Sequence, residues 1–128
     1  MSTITNESEE MYLETIYMIS KENIPVRSIE VANRLGYAKS SVTVGMKNLL
    51  DKGYITYNDD KTINLTDKGL KEALKVYERH LVLEALLVHL GASKEMAEEN
   101  GCKIEHVISN DLLEVLKAFL DKNNIKYN

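Results

Sequence analysis

Residues 28–65 read SIEVANRLGYAKSSVTVGMKNLLDKGYITYNDDKTINL, and the punctuation of this stretch decides the fold. Ser28 is the residue type that caps a helix N-terminus, with Glu30 and Val31 in the first turn of a short helix over Ile29–Leu35. Gly36 ends that helix, and Gly36-Tyr37-Ala38 is a short turn. The next helix runs from Lys39 to Lys52, with Val42, Met46, Leu49 and Leu50 as its core stripe. Gly53 stops it. Tyr54–Tyr57 then reads as a strand, Asn58–Lys61 as a turn and Thr62–Leu65 as the returning strand.

Upstream, residues 7–22 form a helix on which Met11, Ile16, Tyr17 and Ile19 share an apolar face, closed by Pro25. Downstream, Thr66–Gly69 opens a long helix to Leu90 that contains Leu70, Leu74, Tyr77, Leu81, Leu86 and Leu87. After Gly91, Ser93 caps a fifth helix carrying Glu98, Cys102, Glu105 and His106. Asn110 or Asp111 opens a last helix, Leu112–Asp121, with Leu113, Leu116 and Leu120 on one side. Two helices joined by a short glycine-containing turn and followed by a hairpin form a winged helix-turn-helix. The expected architecture is mainly α, with a winged helix-turn-helix domain over residues 1–72 and an all-α domain over 73–128.

The 128 residues carry a net charge of −4, but unevenly. Residues 27–75 hold nine Lys or Arg against six Asp or Glu, a local net of +3, between two acidic flanks. Phosphate contact needs local positive potential, and acidic flanks suit cation binding. Arg27, Lys39, Ser40, Ser41, Thr43, Lys47 and the wing-tip Lys61 are the candidate contacts to double-stranded DNA. Small hydroxyl side chains at a helix start let backbone approach phosphate, and they can bond to base edges. No apolar run approaches the ~18 residues of a membrane span, and no signal peptide is read. Cys102 is the single cysteine, which fits a reducing cytoplasm. No glycine-rich phosphate loop or nucleophile elbow is present, so an enzyme with a small-molecule substrate is not expected.

A second constellation lies outside the helix-turn-helix. Glu98, Cys102, Glu105 and His106 are spaced by four, three and one. At ~100° per residue they fall within one sector of a helix and form a plausible half-site for a divalent metal. His80 and Glu84 form an i,i+4 pair on the long helix, and Met11 and Glu14 an i,i+3 pair on the first. Each has a blander reading: a surface pair, a core methionine, a small buried thiol. Spacing alone does not join Met11 to the Cys102 group.

The chain resembles the diphtheria toxin repressor family of iron- and manganese-dependent regulators over nearly its whole length. The resemblance is carried by Glu10-Met11-Tyr12-Leu13-Glu14-Thr15-Ile16-Tyr17, by Ser40-Ser41-Val42-Thr43, and by Cys102-Lys103-Ile104-Glu105-His106-Val107. It implies a metal-dependent repressor that binds operator DNA as a homodimer. It also implies a primary metal site of Met11, Cys102, Glu105 and His106, and an ancillary site of His80, Glu84 and Glu98. Glu98 departs from the family's histidine, and the chain is expected to lack the SH3-like domain of longer members. The manganese-responsive branch has Asp and Glu where Met11 and Cys102 stand, and uses a Glu at Glu14 and a His at His80. Soft thioether and thiolate donors favour Fe²⁺, with Mn²⁺ the alternative; Zn²⁺, Co²⁺ and Ni²⁺ are expected to bind in vitro. Binding needs deprotonated Cys102 and neutral His106, so it is expected to weaken at acid pH. The alternatives are a winged-helix regulator that senses an organic ligand and, further off, a metallohydrolase.

Overall fold

The computed structural model describes residues 7–127. Its elements run α1 (Glu7–Lys21), α2 (Ser28–Leu35), α3 (Lys39–Asp51), β1 (Ile55–Tyr57), β2 (Ile63–Leu65), α4 (Asp67–His89), α5 (Lys94–Ile104) and α6 (Asn110–Lys122). The chain divides into two compact units, Met1–Leu74 and Lys75–Asn128, and α4 begins in the first and continues into the second.

In the first unit a single apolar core joins Leu13, Ile16 and Ile19 of α1, Val31 and Ala32 of α2, and Val42, Met46 and Leu49 of α3. Ile55 and Ile63 bring the hairpin onto it. The two strands pair antiparallel in the register Ile55↔Leu65, Thr56↔Asn64 and Tyr57↔Ile63. Gly36 closes α2 in the left-handed region at φ 69°, where a side chain is strained, and this permits the three-residue turn into α3. Thr66 fastens the wing to α4: its hydroxyl donates to the Gly53 carbonyl and accepts from the Gly69 N–H.

Several local expectations are corrected. Ser28 is the first helical residue of α2; Arg27 occupies the cap position, extended at φ −126° and without a side-chain cap bond. On α1 the buried apolar residues are Tyr12, Leu13, Ile16 and Ile19, while Met11 and Tyr17 lie half-buried at its flanks. Leu50 is exposed, because the 42/46/49 spacing already turns one face of α3 inward and the next residue points ~100° away. Finally, α5 stops at Ile104, so Glu105 is its C-cap and His106 lies in the following turn.

The second unit packs Val82 of α4 with Leu113 and Leu120 of α6, surrounded by Leu86, Ile108, Leu116 and Ile125. Ser93 and Ser109 cap α5 and α6 by accepting from the N–H groups of Met96 and Leu112.

Candidate metal centre and nucleic-acid interface

Three of the residues singled out in the sequence meet in the second unit around one carboxylate. Glu105 is completely buried, at the C-cap of α5. Its Oε2 lies 3.1 Å from His80 Nδ1, and its Oε1 lies 3.3 Å from His106 Nε2. The His106 side chain is itself 1% exposed. The other nitrogen of His80, Nε2, faces Glu84 Oε2 at 3.2 Å, one turn further along α4. Glu105 Oε1 is buried and accepts no hydrogen bond among the described residues. A buried carboxylate oxygen without a donor is costly, and a divalent cation would offset that cost. One carboxylate flanked by two imidazoles is an N/O donor set suited to first-row divalent ions. These residues therefore fit a metal, on the chemistry of their donors and on the orphaned oxygen.

The grouping differs from the one drawn from the resemblance. His80 touches Glu105 of the primary set as well as Glu84 of the ancillary set, so the two sets share a wall. The 25-residue separation between His80 and Glu105 hides this contact from any spacing argument. Glu98 is exposed on α5 and makes no hydrogen bond or ion pair among the described residues. Cys102 is a half-buried free thiol on the last turn of α5. Among the described residues it joins no group of three carboxylate, imidazole or thiol donors within 4.8 Å of one another. In the first unit Glu14 is buried on α1, and Met11 Sδ accepts a 3.5 Å hydrogen bond from the Tyr37 hydroxyl in the helix-turn-helix turn. Sequence reasoning did not connect Tyr37 to Met11.

The other surface of interest is the outer side of α3. Lys39, Ser40, Ser41, Thr43 and Lys47 are all exposed there. No side chain caps α3, and its first turn carries no acidic residue, so the amides at its start and the Lys39 charge suit an anion. The Thr43 hydroxyl donates back to the Lys39 carbonyl at 2.9 Å, which orients it along the helix. Val44, 61% exposed on the same side, was not singled out in the sequence. Arg27 is exposed and donates from Nη1 to the Asp60 carbonyl in the wing turn at 2.8 Å. Asp60 in turn accepts from the hydroxyl and N–H of Thr62, which hold its carboxyl below the usual Asp range. Lys61, exposed beside it, takes a left-handed conformation at φ 67°.

Residues 5–63 match the model of the iron dependent repressor N-terminal DNA binding domain, and residues 66–126 match that of the iron dependent repressor metal binding and dimerisation domain. The chain belongs to the iron-dependent repressor family. A helix-turn-helix transcriptional regulator of Methanocaldococcus jannaschii is 40% identical over 119 residues, covering 91% of this chain and 95% of that one. The iron-dependent repressor IdeR of Mycobacterium tuberculosis is 31% identical over 107 residues, 83% of this chain but 46% of IdeR. A solved manganese-dependent transcriptional repressor in complex with manganese superposes with a TM-score of 0.83 at 26% identity, covering 88% of this chain and 52% of that one. The chain thus spans about half the length of the last two relatives. The family divides this sequence into a DNA-binding half and a metal-binding, dimerising half, a metal-dependent repressor in two parts.

Proposed function

We propose that this repressor responds to Fe²⁺ and binds its operator as a homodimer when the metal is bound. The observation that carries a metal response is the buried Glu105 carboxylate between His80 and His106, with one oxygen lacking a hydrogen-bond donor. Glu105, His106 and Cys102, with Met11 from α1, are the residues proposed to hold the ion, and His80 and Glu14 are proposed as further donors. When bound, the ion would offer a positive charge to the Glu105 oxygen that accepts no hydrogen bond among the described residues. The fold keeps Glu105 and the His106 ring buried, while α3 presents Lys39, Ser40, Ser41 and Lys47 to DNA. Two recognition helices must meet half-sites about one helical turn apart, so their spacing in the dimer sets operator affinity. A metal shifts that affinity only as far as it prefers the DNA-competent form. We propose no catalytic role for these residues.

Iron is favoured by the soft pair Met11 and Cys102. A manganese response is the second reading, supported by the direct pairing of His80 with Glu105, which is a hard N/O set. Anaerobic gel shifts on operator duplexes selected from random DNA, with Fe²⁺, Mn²⁺, Zn²⁺ and no metal, test the proposal. Tighter binding with Fe²⁺ than with Mn²⁺ is expected, and Met11→Asp with Cys102→Glu should reverse that order. Equal affinity with and without metal would sink the metal response altogether.

A further inference from the structure

Glu105 is held at both ends by consecutive residues of α4. His80 meets its carboxylate, and Arg79 meets its backbone carbonyl. The guanidinium does more than this one contact. Arg79 Nη1 donates to the carbonyls of Glu105 at 3.1 Å and Ile108 at 3.2 Å, and Nη2 donates to the Asn110 side-chain oxygen. These three acceptors span the turn that carries Glu105 and His106, from the C-cap of α5 to Asn110, the first residue of α6. We infer that Arg79 is a positioning residue for the metal centre, fixing the turn that aims Glu105 and His106; the inference rests on the metal reading above.

The need for such a device follows from where α5 ends. At its end Glu105 N–H makes an α-type bond to the Gly101 carbonyl at 2.9 Å, and Val107 N–H then bonds to the Ile104 carbonyl in a tighter turn at 3.0 Å. The last carbonyls of a helix have no intrahelical donor. Left to water, the turn would be free to fluctuate, and with it the two side chains that face each other at 3.3 Å. A planar fork with fixed N–H directions suits this role, because it binds several acceptors at once and loses little freedom for each bond. The location matters as well. A cation at the carboxyl end of α5 is favoured by the helix dipole. Next to a cation-binding carboxylate, however, the same charge is unfavourable, so a lysine or arginine here has to bring something beyond charge. Its contacts to two backbone carbonyls and a neutral amide identify that contribution as geometry.

Charge and geometry are separated by substitution. Arg79→Lys keeps the charge at the end of α5 and loses the fork; Arg79→Gln loses both. Full-length protein is titrated with Co²⁺ by calorimetry and by its ligand-field absorption, and the metal-free protein is melted alongside. Arg79→Lys should melt near the wild-type temperature yet bind Co²⁺ about 10- to 100-fold more weakly, the range for outer partners of metal ligands. Its absorption at saturation should shift, reporting altered donor geometry. Arg79→Gln should lose as much affinity and also melt lower. Where Arg79→Gln does not fold, Asn110→Ala removes one arm of the clamp and should give a smaller loss in the same direction. Lys117→Gln, which breaks a surface ion pair with Glu78 in the same unit, should leave Co²⁺ affinity unchanged. Wild-type affinity and spectrum in Arg79→Lys and Asn110→Ala would overturn the positioning role while leaving the metal reading intact. Failure of the wild-type protein to take up Co²⁺ would overturn both.

Discussion

Asp60 and Glu105 are both carboxylates at turns, and their surroundings set them to opposite uses. Asp60 is solvent-facing and satisfied: the Thr62 hydroxyl at 2.6 Å and the Thr62 N–H at 3.1 Å both donate to its Oδ1. Those bonds favour its ionised form, the Thr62 hydroxyl foremost, with Arg27 adding to them. A carboxyl whose folded value is lowered contributes stability that is present above the unfolded value, about 3.9 for Asp. That contribution disappears as pH falls through the lower folded value. Protection of the Thr62 amide against hydrogen exchange should therefore persist through the ordinary Asp range and collapse only in stronger acid. In Asp60→Asn it should be weaker and flat with pH across the same range. Amide exchange followed by NMR checks this, and an unchanged profile in Asp60→Asn would remove Asp60 from the account of wing order. Glu105 is the reverse case, buried with one oxygen unsatisfied. A buried carboxylate oxygen in that state calls for an explanation, and a bound cation between the two imidazoles is one.

Helix packing in the first unit turns on close contact between α1 and α3. An added Cβ on Gly45 would lie 2.2 Å from a ring carbon of Tyr12, and the Tyr12 ring also meets Tyr37 edge-on with centroids 6.1 Å apart. Gly45→Ala is thus expected to push the ring away and destabilise the domain by about 1–3 kcal/mol, the usual range for overpacking. Urea unfolding measures this, and Tyr12→Leu in the same chain should recover part of the loss. Equal stability of Gly45→Ala and wild type would show that the ring moves without cost. This contact was invisible in the sequence, which does not show that Gly45 and Tyr12 meet. What was legible followed local chemistry. Gly36, Gly53 and Gly91 stop three elements, and all three adopt positive φ. Ser93 caps α5 as its residue type and position suggested. Less legible was the rotation of a helix with apolar residues on several sides: Leu13 and Leu50 are equally apolar, yet one is buried and the other exposed. Tertiary packing decides such cases, and a single chain's periodicity does not contain it. The site divides the same way. Cys102, Glu105 and His106 stood out by spacing, whereas the His80–Glu105 and Arg79–Glu105 contacts join residues far apart in sequence.

At the scale of the whole molecule the question is how an acidic chain of net charge −4 holds DNA. The basic stretch 27–75 supplies the local field, and Lys39 and Lys47 on the outer side of α3 are its exposed charges nearest the reading surface. Each phosphate neutralised releases counterions, so log affinity falls with log salt by ~0.9 per contact. A homodimer carries every contact twice. Lys39→Ala should therefore flatten the salt slope of metal-loaded operator binding by ~2 and weaken binding to all DNA sequences alike, since a phosphate contact carries no sequence information. Lys126→Ala, a charge in the other unit, should leave the slope unchanged. The metal has a different signature. If it acted merely by adding positive charge, its benefit would fade with salt as a screened interaction does. A metal that sets the spacing of two recognition helices should instead confer operator preference that survives at high salt, with the metal-free protein retaining weak binding to operator and random DNA alike. Fluorescence anisotropy on operator and scrambled duplexes, from low to high salt and with and without metal, separates the two. A metal effect of equal size on both duplexes that vanishes at high salt would show that charge, rather than geometry, carries the response.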